Sequence, residues 1–96
     1  MVLPSQQINA KLQAFRGWEL IDGKVQKTYR LEGFIEAVDA VNKIAVVAEH
    51  VNHHPDILIH NYNQLTVSTW THSEEGVTDK DIQLAVAIEK LMALEV

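Results

Sequence analysis

Apolar residues at Ile8, Leu12 and Phe15 return at helical spacing, which predicts a first helix that Ser5 can cap and Gly17 can stop. The pattern then changes to strands. Trp18 to Ile21 and Val25 to Leu31 flank Asp22-Gly23, a dipeptide suited to the positive φ angles of a two-residue hairpin. From Gly33 to about Val51 the apolar positions Phe34, Val38, Val41, Ile44, Ala45 and Ala48 recur at three- and four-residue steps, predicting a long second helix. Pro55 disfavours helical geometry at His54, so this helix is expected to end just before the pair His53-His54. A second hairpin is expected from Ile57 to Tyr62 and Leu65 to Thr71, joined near Asn63-Gln64 without the help of a glycine. After Glu74-Glu75-Gly76, Thr78 with Asp81 three residues on reads as a capping box with aspartate in place of glutamate. It opens a last helix carrying Ile82, Ala85, Val86, Ile88 and Leu91. The order α-β-β-α-β-β-α predicts an α+β fold: a four-stranded antiparallel sheet with helices packed on one face.

Nothing interrupts this order with a repeat, linker or low-complexity stretch, so a single domain over residues 1–96 is expected. A chain of 96 residues builds only a modest core, and self-association is its natural supplement. Hydrophobic residues at 47% and charged residues at 22% are globular proportions, far from a disordered profile. The absence of cysteine excludes disulfides, thiolate nucleophiles and cysteine-ligated zinc. The net charge of −5, with eight scattered basic residues, argues against direct nucleic-acid binding, which needs clustered Lys and Arg. No apolar run approaches the roughly 18 residues of a membrane span, and no basic-then-apolar leader opens the chain, so a cytoplasmic location is expected.

Chemistry concentrates at the predicted corner between the second helix and the third strand. Glu49-His50-Val51-Asn52-His53-His54-Pro55 holds three of the chain's five histidines. Histidine exchanges protons near neutral pH. His50 and His54 are also four apart, the spacing of helical zinc ligands, but Val51 stands where zincins carry glutamate and Pro55 opposes helix through His54. No metal is expected.

The run Glu49-x3-His53-His54-Pro55, followed by Tyr62 after six residues, His72 after nine more and Asp81 after eight more, resembles the signature of the pterin-4a-carbinolamine dehydratases. The resemblance covers nearly the whole chain and extends to the element order. The chain has Asn52 where animal members have aspartate, Ile57 where they have an aromatic, and one extra residue between Pro55 and Tyr62, all of which resemble microbial branches.

The resemblance implies dehydration of a 4a-hydroxytetrahydropterin to the quinonoid dihydropterin, without cofactor or metal, in recycling of the pterin used by aromatic amino acid hydroxylases. It implies His53, His54 and His72 as acid-base and substrate-orienting groups, the individual roles left open, with Glu49, Asn52 and Pro55 at the substrate; Glu49, four residues before His53, either orients an imidazole or binds the guanidine-like edge of the pterin. It further implies a homodimer or homotetramer, with strands pairing across a dimer and helices joining dimers. The alternative on the same fold is a non-catalytic binding module, a coactivator or assembly factor. Other residues have plainer readings: His50 and His60 as solvated surface histidines, Tyr62 and Trp70 as strand packing residues, Asp81 as a helix-start residue.

Overall fold

The computed structural model describes residues 1–94. Helix α1 (Ser5–Leu12) leads to strands β1 (Glu19–Ile21) and β2 (Lys24–Arg30). Helix α2 (Phe34–Val51), strands β3 (Asp56–His60) and β4 (Gln64–Thr69), and helix α3 (Asp79–Leu94) complete the predicted α+β order. A single 3₁₀ turn, His72–Glu74, lies between β4 and α3. The sheet is antiparallel throughout, in the order β1-β2-β4-β3.

Strand alternation sends Val25, Leu65, Val67, Ile57 and Ile59 to one face, where they meet Ile8 and Leu12 of α1, Ala40 and Ile44 of α2, and Leu84, Ala85 and Ile88 of α3. All three helices therefore lie on that face. The opposite face carries Gln26, Thr28, Thr66 and His60 with no helix over it, and a side-chain chain crosses it from His60 Nε2 to Thr66 Oγ1 (2.8 Å) and on to Thr28 Oγ1 (2.8 Å). His60 is thus half-buried and bonded, not simply solvated.

The first hairpin forms as its sequence predicts. Asp22 and Gly23 take φ of 50° and 77°, and Ile21 pairs with Lys24 across a two-residue turn. The second hairpin departs from expectation. β3 ends at His60, and the turn is made by Asn61, Tyr62 and Asn63, with φ of 47° and 54° at the first two. Asparagine tolerates this left-handed region, so Asn61 starts the turn that a glycine elsewhere would mark. Asn63 is buried and locks the turn to the end of β2, donating from Nδ2 to Leu31 O (3.1 Å) while its carbonyl accepts from Leu31 N–H (2.8 Å). Tyr62 consequently stands in the turn, 64% exposed, and is not a strand packing residue. Trp70 lies just past β4, also outside the strand.

Helix α1 starts at Ser5 with Pro4 at the capping position, so the serine is not the cap. The helix stops at Leu12, and the chain reaches the positive φ of Gly17 (90°) through further turns, with Phe15 half-buried. Helix α2 buries Ala37, Ala40, Ile44 and Ala48. Phe34, Val38 and Ala45, expected on the inward stripe, face out. Small residues let α2 lie close against α3, and that packing rotates the larger side chains outward.

A second polar knot ties α3 to the sheet. Glu89 Oε1 accepts from Trp18 Nε1 (3.0 Å), Lys27 Nζ (2.9 Å) and Tyr29 OH (2.6 Å). Burial alone would raise the Glu89 carboxyl, but the bonds from Lys27, Tyr29 and Trp18 outweigh it and hold the group below its ordinary value. Burial, reinforced by Glu89, pushes the Tyr29 phenol up, so it remains a donor.

Candidate active site at the helix-strand corner

Helix α2 ends at Val51 because Asn52 turns into the left-handed region, φ 56° and ψ 44°. The amide of Asn52 then bonds Glu49 O (3.3 Å) and that of His53 bonds Ala48 O (3.1 Å), a closing pattern that satisfies the last carbonyls of the helix. Asn52 thus has a backbone task at the stop, and Pro55 bars further helix. With the helix closed before them, His53 and His54 leave the helical face that His50 occupies, so the four-residue spacing of His50 and His54 does not make a helical ligand pair. Among the described residues, no group of three or more His, Asp or Glu side chains is disposed to hold a metal ion.

His53 turns inward. Its Nε2–H donates to Asp81 Oδ1 at 2.6 Å, and Asp81 is fully buried. The same oxygen accepts from Thr69 Oγ1 (2.6 Å), while Oδ2 accepts from Thr71 Oγ1 (2.7 Å) and from the Thr78 amide (2.9 Å). Burial alone would raise the Asp81 carboxyl, but the bonds from Thr69, the Thr78 amide, His53 and Thr71 together hold it below the usual carboxylate range. A buried charge is tolerable only when its lone pairs are filled in this way. With Nε2–H committed to Asp81, the tautomer of His53 that remains carries its lone pair on Nδ1.

The capping box predicted at Thr78 is present, since Thr78 Oγ1 accepts from Lys80 N–H (3.3 Å) and Asp81 accepts from Thr78 N–H. Reading Asp81 as a helix-start residue alone is corrected by the rest of its bonds. One carboxylate starts α3, gathers the end of β4 and holds His53. Sequence reasoning undervalued it together with Thr69 and Thr71; the signal that could have found them is Thr-x-Thr two residues apart on one strand face, with an acid opposite.

His54 points the other way, donating to Glu49 Oε2 at the surface, where both side chains are largely exposed. An exposed pair of this kind contributes roughly 0–1 kcal/mol, so it orients the imidazole more than it stabilises the fold. His72 begins the 3₁₀ turn, and its ring lies against Trp70, centroids 4.4 Å apart with a 38° tilt. The turn is anchored by the bridge between Thr71 and Gly76, and by the bond from Leu3 N–H to Val77 O (2.8 Å), which lays Val2 against Gly76. Because Thr71 bonds Asp81 as His53 does, the segment carrying His72 is tied to the same carboxylate. His50 is exposed on α2. Two cavities, about 620 Å³ between β2, α2 and α3 and about 410 Å³ beside Trp70, are lined by other residues than His53, His54 and His72.

Comparison with known proteins gives one answer. A protein of Herpetosiphon aurantiacus, provisionally assigned as a pterin-4-alpha-carbinolamine dehydratase, is 44% identical over 96% of this chain and 95% of its own. A protein of Sulfolobus acidocaldarius with the same assignment is 38% identical over 95% of this chain and 99% of its own. The crystal structure of a transcriptional coactivator/pterin dehydratase from Brucella melitensis superposes with a TM-score of 0.84 at 31% identity, covering 92% of this chain and 95% of that one. A pterin dehydratase-like RuBisCO assembly factor of the alpha-carboxysome shares the fold, with a TM-score of 0.66 at 11% identity over 80% of this chain and 90% of its own. With the sequence model for pterin 4 alpha carbinolamine dehydratase matching residues 1–91, the chain belongs to that family.

Proposed function

We propose that the protein dehydrates a 4a-hydroxytetrahydropterin to the quinonoid dihydropterin by histidine acid-base catalysis, in the recycling of a reduced pterin in the cytoplasm. The observation that carries this reading is the bond from His53 Nε2–H to buried Asp81, which fixes the tautomer of an imidazole at the site and leaves Nδ1 able to take a proton. In the reaction the C4a–O bond breaks, the N5 lone pair closes the C=N bond, the N5 proton leaves, and the departing oxygen gains a proton to leave as water. His53 accepts the N5 proton, and Asp81 stabilises the imidazolium that results, as a carboxylate does behind a catalytic histidine. His72, whose ring nitrogens carry no hydrogen bond to the described residues, protonates the departing oxygen. His54 with Glu49, Asn52 and Pro55 hold the pterin, the carboxylate suiting its guanidine-like edge. Each positioned proton transfer is worth about 10²–10⁴-fold.

The test is a dehydratase assay on 4a-hydroxytetrahydropterin generated by a hydroxylase, run with and without exhaustive chelation. Turnover well above spontaneous dehydration, unchanged by chelator, is expected, since the proposed proton donors and acceptors are imidazoles. Activity lost to chelator and restored by zinc would revive a metal mechanism.

We further propose a homodimer or dimer of dimers. β3 is an edge strand with exposed Leu58, and edge strands that remain unpaired invite association. On α2, Phe34, Ile35 and Val46 are 56%, 71% and 70% exposed, an apolar surface consistent with helix packing between copies. Among the described residues no helix is long and apolar enough to cross a membrane. Light scattering at micromolar concentration should return a mass of two or four chains, and a strictly monomeric mass would sink the proposal.

A further inference from the structure

The three site histidines are held in three different ways. His53 has Asp81 and His54 has Glu49, whereas the one side-chain interaction of His72 among the described residues is the indole of Trp70. The cause is local. Beyond Thr69 the chain stays extended as far as Thr71 (φ −97°, ψ 104°), which pairs with Gly76. In extended chain alternate side chains share a face. Thr69 and Thr71 therefore point inward to Asp81, and Trp70 and His72 emerge together on the other side. One row builds the support of His53, and the other stacks His72.

We propose that Trp70 is the positioning residue of His72, its indole face fixing the plane in which the imidazole meets the substrate. The proposal rests on the reading of His72 as the proton donor above. An exposed histidine in a single 3₁₀ turn has both side-chain torsions free unless something holds them. A carboxylate would hold it by occupying a ring nitrogen. The indole holds it by its face and leaves both nitrogens open to substrate. Trp70 is itself held: it is half-buried, it borders the 410 Å³ cavity with Leu20, Gly76 and Val77, and Lys24 Nζ lies 6.0 Å from its ring centroid. A tenfold change in rate, about 1.4 kcal/mol, lies at the upper end of what a ring pair of this kind contributes beyond its buried area.

The first measurement needs no variant. Proton NMR of the wild-type protein should show cross-relaxation between the Trp70 indole and the His72 imidazole, with the His72 ring protons shifted by the indole ring current. Trp70→Leu should abolish that shift, leave the His53 ring protons in place, and lower kcat about tenfold with little change in KM. Trp70→Phe, which keeps an aromatic face, should recover most of kcat. In a His72→Ala background, Trp70→Leu should cost nothing further. Absence of the wild-type cross-relaxation, or Trp70→Leu with full kcat in folded protein, overturns the positioning role. His72→Ala with wild-type turnover overturns instead the proton-donor reading on which the role rests, and the ring contact measured by NMR separates that failure from the first.

Discussion

Replacing His53 or His72 by alanine is expected to lower kcat/KM by about 10²-fold or more in protein that remains folded, the lower range for a lost general acid or base. His60→Ala should change it little, because His60 lies on the open face of the sheet, bonded to Thr66. The fold should survive both changes: His72 is exposed, and although His53→Ala removes one donor from buried Asp81 and lowers stability, Thr69, Thr71 and the Thr78 amide still hold the carboxylate. Circular dichroism should therefore remain native. The double variant should lose less than the product of the single losses, because groups that act as a unit are non-additive. Near wild-type turnover of both single variants would remove the proposed site and shift the reading to a binding module on this fold.

The second large effect is expected at Asp81, and it falls on stability as well as on activity. Asp81→Asn exchanges one acceptor oxygen for an amide donor amid four groups that all donate: His53, Thr69, Thr71 and the Thr78 amide. Leaving a buried donor without its acceptor costs about 1–3 kcal/mol. At roughly 4–8 °C per kcal/mol for a chain of this size, the melting temperature should fall by at least about 4 °C. The pH dependence follows from the sign of the shift. The folded carboxyl titrates below its unfolded value, so its contribution is fully present above the unfolded pKa and is lost as pH falls through the folded one. Denaturant melts from neutral pH into acid should show stability falling in the wild-type protein, with a shallower fall in Asp81→Asn. Equal slopes would show that Asp81 does not carry this linkage.

Much of this architecture is legible in the residues because local rules and tertiary packing agree. Asp22-Gly23 makes the turn its two positive φ angles permit, and Pro55 with Asn52 ends α2 where backbone geometry demands. The inward face of α2 is less legible for a physical reason. Phe34, Ile35, Val38, Val41, Val46 and Val47 surround a helix that is apolar on nearly every side, so period alone cannot choose a face. Close packing chose the alanines. The turn at Asn61 was obscured because asparagine replaces the usual glycine, and Tyr62 reads as a strand residue in any pattern. Asp81 is the helix-start residue its spacing predicts, but a carboxylate three residues after a threonine gives that signal whether it faces water or a core, and burial is not written in the spacing.

The shared carboxylate also sets how the site can move. A surface histidine changes rotamer in picoseconds to nanoseconds. For His53 to swing away from Asp81, the buried carboxylate must lose one of its donors with no water at hand to replace it. Fraying of the first turn of α3 would in turn carry off the anchor of His53 and loosen the segment that bears His72. The corner is therefore expected to open as a cooperative unit, on the slower scale of local unfolding. The donor of the bond at His53 and the start of α3 at Asp79 would then keep the same clock.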